Sequence, residues 1–334
     1  MYNNTNEIDI IHERSFPMKI KNKIITACLT TSAAISSVAL LNKWIFLSSD
    51  KGILPRNRLS YNWRFGSVSY RVSGNGKPLL LIHDLIPGNS DIEWNSIINK
   101  LSDSHTVYSL DLLGFGRSDK PAITYTNYLY VQLITDFIKS IIGRRTDVIA
   151  SGSSSSIAVM SCCNDTSLFD RIILVNPDSP KKAGLIPDKH SKIQKFLIDC
   201  PVIGTLLYNI MMSKSFLKKD FLEHYISSAY FYKDLLCSFH EAAHLGGSYS
   251  KYVYSSIVGN YTNFSFSHKI SEIDNSLLLI GGAMEESITE TIQYYKELNP
   301  ALENTYIRGS RHFPQIEKPE DFLQLCQIFL SSAI

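Results

Sequence analysis

Asp147-Val-Ile-Ala-Ser-Gly-Ser-Ser-Ser-Ser-Ile-Ala-Val-Met160 is the stretch on which the reading of this chain turns. Asp147 to Ala150 has the length and apolar content of a buried strand, and Ile157-Ala-Val-Met is apolar in the manner of a helix. A strand that passes through a tight turn into a helix leaves one side chain standing at the strand's carboxyl end. The strained backbone of that turn tolerates only small residues two before and two after it. Gly152 and Ser156 meet this demand around Ser154, as G-x-S-x-S, with Ser153 leaving the register open by one. The helix start adds the N–H of Ser155 and a positive dipole end suited to an oxyanion. A Ser-rich helix cap and loop is the competing reading.

Strands of the same kind lie on either side. Pro78 to His83 is a continuous apolar run closed by polar and turn residues, as expected of a strand buried on both faces. Thr106 to Asp111, Arg171 to Val175, Leu277 to Ile280 and Thr305 to Ile307 repeat the form, and Trp63 to Val72, with Phe65-Gly66, reads as two short antiparallel strands. Helical patterns alternate with them at Ile92 to Leu101, Tyr128 to Ile142, Ser155 to Cys163, Glu286 to Leu298 and Glu320 to Ser331. Alternation of this kind implies a mostly parallel sheet with helices on both faces. It breaks between about Pro180 and Asp274, where helical patterns follow one another as an inserted cap.

The balance of 33 Lys+Arg against 31 Asp+Glu gives a net charge of +2, too mild for a surface that neutralises phosphates, so no nucleic-acid partner is expected. Six scattered cysteines make neither a disulfide framework nor a zinc site, and no metal is expected. The neighbours Cys162 and Cys163 read as core packing. Ile24 to Leu41 carries no formal charge and follows Lys19, Lys21 and Lys23. As a helix it would run roughly 27 Å, only just enough to span a bilayer, so a membrane anchor is expected; a secretory signal with small residues at Ser37 and Ala39, and a core helix, are the alternatives.

Two further positions follow strands. Glu285 and Glu286 come after Leu277 to Ile280, where a carboxylate could orient an imidazole, and His312 comes after the last strand. Either could instead be an ordinary helix-start acid or loop histidine. The order Ser, acid, His, each after a parallel strand, is what changes the reading.

From about residue 60 to 334 the chain resembles the α/β-hydrolase fold family, in the capped branch of esterases, epoxide-hydrolase-like and haloalkane-dehalogenase-like proteins. The resemblance rests on Leu80-Leu-Ile-His83 with Pro87-Gly88, on Asp111-Leu-Leu-Gly114-Phe-Gly116-Arg-Ser118-Asp-Lys-Pro121, on the turn at Ser154, and on Gly309-Ser-Arg-His312-Phe-Pro-Gln-Ile-Glu317-Lys-Pro319-Glu-Asp-Phe322. It implies Ser154 as nucleophile, His312 as general base and then acid, and Glu285 as the orienting acid, with Glu286 or Asp178 as alternatives. Backbone donors from Leu85 and Ser155 would hold the oxyanion. A serine nucleophile ranks dehalogenation and epoxide opening low. Asp84 stands where the family has Gly, and its charge would oppose an oxyanion beside it.

The expected product is a cofactor-free serine hydrolase cleaving an ester or related acyl bond of a small apolar molecule. Phe216, Tyr225, Tyr230, Phe231, Tyr232, Met211 and Met212 would line a lid. A catalytically impaired binding protein of the same fold, tethered to a membrane, is the alternative. The expected organisation is 1–17 leader or over-called start, 18–58 anchor or signal with linker, 59–179 and 273–334 hydrolase core, and 180–272 cap.

Overall fold

The computed structural model describes residues 18–55, 57–227, 230 and 233–331. In chain order the helices and strands are α1 (Met18–Ser49), β1 (Leu59–Trp63), β2 (Gly66–Ser73), β3 (Lys77–Ile82), α2 (Asn95–Leu101), β4 (His105–Leu110), α3 (Asn127–Phe137), β5 (Thr146–Ser151), α4 (Ser154–Asn164) and β6 (Phe169–Val175). The cap follows as α5 (Pro180–Ala183), α6 (Lys189–Asp199), α7 (Ile203–Met211), α8 (Lys214–Asp220), α9 (Lys233–His244) and α10 (Lys251–Val258). The chain then returns through β7 (Leu277–Gly282), α11 (Ile288–Leu298), β8 (Glu303–Ile307), α12 (Pro314–Glu317) and α13 (Pro319–Ser331).

The eight strands form one sheet in the order β1-β2-β4-β3-β5-β6-β7-β8. The β1–β2 and β2–β4 pairs are antiparallel and the others parallel. Successive side chains of a strand point to opposite faces, which is why apolar runs rather than alternation mark the central strands. Leu80 and Ile82 of β3 pack with Phe137 of α3, Ile157 of α4 and Ile292 of α11. Leu79 and Leu81 face the other way, onto Ile97 and Ile98 of α2 and Phe322 and Phe329 of α13. The edge strand β8 exposes Glu303 and Tyr306, as a strand with one neighbour can.

The cap has its own core, in which Phe221, Phe239 and Met212 meet Ile86 from the loop after β3 and Phe313 from the loop after β8. Met212 is buried there, Tyr225 packs against it, Phe216 is exposed, and the ring of Tyr230 lies 5.2 Å from Lys318 Nζ. Phe231 and Tyr232, like residues 1–17, lie outside the described residues.

The expectation of a spanning anchor at Ile24 to Leu41 is corrected. Among the described residues no helix is long and apolar enough to cross a membrane. The run is diluted by Ala and by Thr and Ser, and hydroxyls of the last two bond back to their own helix, as Thr30 Oγ1 does to Thr26 O and Ser37 Oγ to Ala33 O. α1 continues unbroken past Ser37 and Ala39, and its last turns lie on the cap, where Asn42 Nδ2 donates to Val202 O at 2.9 Å.

Candidate active site

β3 and β5 are neighbours, with Ile82 opposite Ala150, so the loops that follow them emerge side by side. β5 runs through Ser151 and hands over to α4 at Gly152, whose φ of +54° lies in the left-handed region where glycine is at ease. The residue at the tight turn is therefore Gly152, with the small residues Ala150 and Ser154 two before and two after it. The expected centring on Ser154 is two residues too far along the chain. Ser154 begins α4, is buried, and its Oγ donates to His83 O at 2.6 Å. The structure does not bring Ser154 and His312 into hydrogen-bond contact.

Asp84 fills the place that the turn leaves open. A Cβ added to Gly152 would land on the Asp84 carboxyl group. Its Oδ1 accepts from the backbone N–H of Leu85 at 2.7 Å and of Ser153 at 2.8 Å. Its Oδ2 lies 2.8 Å from His312 Nε2. The N–H of Leu85, one expected oxyanion donor, is thus taken up by the Asp84 carboxyl group. Ser155 does not supply the other, because its N–H is spent on Gly152 O at 3.0 Å in the turn itself.

His312 sits between two carboxylates, with Glu285 Oε1 3.1 Å from its Nδ1. Neither Glu286 nor Asp178 reaches it; Asp178 pairs with Lys182 at 2.7 Å. Burial alone would lower the imidazole's pKa, but the hydrogen bonds and charges of Asp84 and Glu285 override it and hold it at about 10. Burial likewise opposes ionisation of Asp84, yet the hydrogen bond and charge of His312, with the N–H of Ser153, bring its pKa below the ordinary carboxylate value. The raised value favours the imidazolium form of His312, with the Asp84 carboxylate held against its Nε2.

A second layer fixes this arrangement. Glu93 Oε2 accepts from Asp84 N at 2.9 Å, and Gln315 Nε2 donates to Glu93 Oε1 at 2.6 Å; burial and the neighbouring Asp84 charge push Glu93 up to about 7. His83 Nε2 accepts from Leu112 N at 3.0 Å, which leaves the proton on Nδ1 to donate to Asp84 O at 2.8 Å; burial pushes this ring down to about 4 and keeps it neutral. Asn176, at φ +44°, donates through Nδ2 to Arg311 O and His312 O and accepts Gly282 N–H. The sequence pattern presents Asp84 as an obstacle, Gly152 only as a small flanking residue and Ser153 only as a register alternative, and it gives no sign of Glu93 or Asn176.

The cap is tied to the histidine loop. Tyr225 O accepts His312 N–H at 3.1 Å, and the Arg311 guanidinium donates to the carbonyls of Leu222 and Glu223 at 2.9 Å each. Ser227 N donates to Glu317 Oε2 at 3.0 Å. A cleft of about 370 Å³, lined by Lys182, Asp220, Tyr225, Glu286 and Arg311, reaches Glu285 and His312 from solvent. Asp84 lies behind them and is 1% exposed.

His312 also makes stability depend on pH. Its folded pKa of about 10 exceeds the ordinary 6.5, so its contribution is complete below pH 6.5 and is lost as pH rises through about 10. The urea midpoint of the wild type is expected to exceed that of His312→Gln at pH 6, and the gap to close by pH 10.5. A constant gap across that range would rule out the charged imidazole.

A family model described as the alpha/beta hydrolase family matches residues 79–325. The chain belongs to the alpha/beta hydrolase family. An uncharacterised protein of Mycobacterium bovis is 32% identical over 108 residues, which is 32% of this chain and 31% of that protein. The chain thus aligns with about a third of the length of this relative. A proline iminopeptidase of Heyndrickxia coagulans is 22% identical over 80% of this chain and 96% of its own. Among solved structures of the α/β-hydrolase fold, the epoxide hydrolase CorEH has a TM-score of 0.67 at 19% identity, covering 82% of this chain and 98% of its own.

Proposed function

We propose that this chain is a hydrolase of the α/β-hydrolase type whose reacting group is the Asp84 carboxylate, with His312 as base and Glu285 orienting it. The substrate class is a small apolar molecule with an electrophilic saturated carbon, as in a haloalkane or an epoxide. One observation carries the reading: Asp84 points one oxygen at two convergent backbone donors and the other at His312. A carboxylate so held has one oxygen polarised and the other free to attack once a substrate displaces the imidazole contact.

The chemistry then runs in two steps. Asp84 Oδ2 attacks the carbon, the bond to the leaving group breaks with its electron pair, and an alkyl ester of Asp84 forms. Esterification removes one of the two anions that hold His312 protonated, so the imidazole releases its proton to solvent and becomes a base. It next takes a proton from water that attacks Asp84 Cγ. The oxyanion forms on Oδ1, already within reach of the N–H groups of Leu85 and Ser153, and collapse releases the alcohol and the carboxylate. An acyl-Ser154 route has no such support, since that hydroxyl is buried and engaged with His83 O.

His312→Gln, which removes the base but not the attacking oxygen, is expected to accumulate the ester. Intact-mass measurement after exposure to a panel of epoxides and haloalkanes reads the alkyl increment, and peptide mapping places it on Asp84. A folded His312→Gln protein that stays unmodified across the panel would sink the proposal and leave a non-catalytic binding protein as the better account.

A further inference from the structure

Three neighbouring helices on the cap side turn large apolar side chains outward while burying polar ones. α1 buries Asn42 and Ser49 and exposes Leu40, Trp44 and Leu47, each by 65–69%. α6 buries Ser191 and Lys195 while Ile193, Phe196 and Leu197 face outward. α7 buries Thr205 and Asn209 and exposes Ile203, Leu207 and Ile210. α1 and α6 both pack against α7, so the three helices sit side by side on the cap.

The buried polar groups are partnered with one another. Asn209 Nδ2 donates to Asn42 Oδ1 at 2.9 Å, and Lys195 pairs with Asp199 at 2.6 Å. Lys251, buried on α10, donates to Cys200 O at 2.8 Å and Thr205 Oγ1 at 3.1 Å. Polar side chains used between helices, with large apolar ones turned outward, are the arrangement that suits apolar surroundings. In water such a contiguous patch is a liability unless something covers it.

Charge selects what covers it. Lys43 on α1 and Lys189 and Lys192 on α6 are exposed beside the apolar residues, and α1 contains no acidic residue. A second copy of this chain applied face to face would bring these lysines together, whereas anionic lipid headgroups complement them. Because the last turns of α1 are fastened to the cap, the helix can lie in a lipid interface without crossing it. We propose that the outer face of α1, α6 and α7 is an interfacial contact with an anionic lipid surface, its apolar side chains seated at the boundary between headgroups and acyl chains.

The test uses the full chain with vesicles of phosphatidylcholine alone or mixed with phosphatidylglycerol. Co-flotation with the mixed vesicles is expected, weakened by high salt, and at least tenfold weaker for the triple variant Trp44→Ser, Phe196→Ser, Ile203→Ser. Trp44 fluorescence gives a readout that needs no variant, since Trp63 and Trp94 are buried: brominated lipid placed in the same vesicles is expected to quench it. The proposal is overturned if the wild type does not float. It is also overturned if Trp44 is unquenched when the chain floats, which would assign binding to another part of the chain. A wild-type dimer that the triple variant dissolves, with no flotation, would assign the face to a second copy.

Discussion

Asp84→Asn is expected to lower turnover of an alkyl electrophile by on the order of 10⁴-fold, while Ser154→Ala keeps it within about threefold. The asparagine can retain the local geometry: its carbonyl oxygen still accepts the N–H groups of Leu85 and Ser153, and its amide donates to a neutral His312 Nε2. What it loses is the anionic oxygen that attacks. Ser154→Ala deletes one hydrogen bond, to His83 O, and is expected to cost about 1 kcal/mol of stability. Steady-state rates of both variants, with circular dichroism to confirm folding, decide the matter. Activity surviving Asp84→Asn but lost in Ser154→Ala would return the nucleophile to the serine.

The second large effect is a coupling between Asp84 and Gly152. Gly152→Ser alone places a side chain at φ +54° onto the Asp84 carboxyl group and is expected to destabilise by about 3 kcal/mol. Asp84→Gly alone leaves the imidazole without one anion and the donor pair unoccupied. Combined, the new hydroxyl stands where Asp84 Oδ2 stood, facing His312, with the N–H groups of Leu85 and Ser153 free for an oxyanion. Fluorophosphonate labelling is therefore expected for the double variant and for neither single variant, with much of the stability lost in Gly152→Ser restored. Additive losses and an unlabelled double variant would show that the two residues do not share one space.

The scaffold was legible because its signal is local. Leu79 to Ile82 and Val148 to Ala150 are buried on both faces, and continuous apolar runs say so without tertiary knowledge. The order of strands, acid and histidine carried Glu285 and His312, and the structure brings these two together at 3.1 Å. The turn after β5 was misread because serines at 151 and 153–156 each offer a hydroxyl, and only the end of the strand shows which position takes the left-handed backbone. Asp84 looked like a charge set against an oxyanion. Nothing in the sequence tells that two N–H groups and an imidazole converge on it from three separate loops.

The outward face of α6 was hidden for a different reason. A helical repeat of apolar residues has the same period whichever side it presents, so the pattern alone does not tell which way Ile193, Phe196 and Leu197 face, and the buried Lys195 does. The Ile24 to Leu41 run reads as a span on apolar length alone, which takes no account of its hydroxyls or of the seat of Asn42 on the cap.

The bonds that fasten the cap to the histidine loop set a timing rule for any reaction here. Tyr225 O, Leu222 O, Glu223 O and Ser227 N all hold residues between Arg311 and Glu317. Lifting this part of the cap to admit a molecule to Asp84 pulls on the segment that carries His312. On the proposed Asp84 route, admission and base catalysis would exclude one another in time: letting substrate in would disarm the imidazole, and only reclosure would restore it. On this route the ester of Asp84 would meet an activated water only once these cap bonds had re-formed around His312.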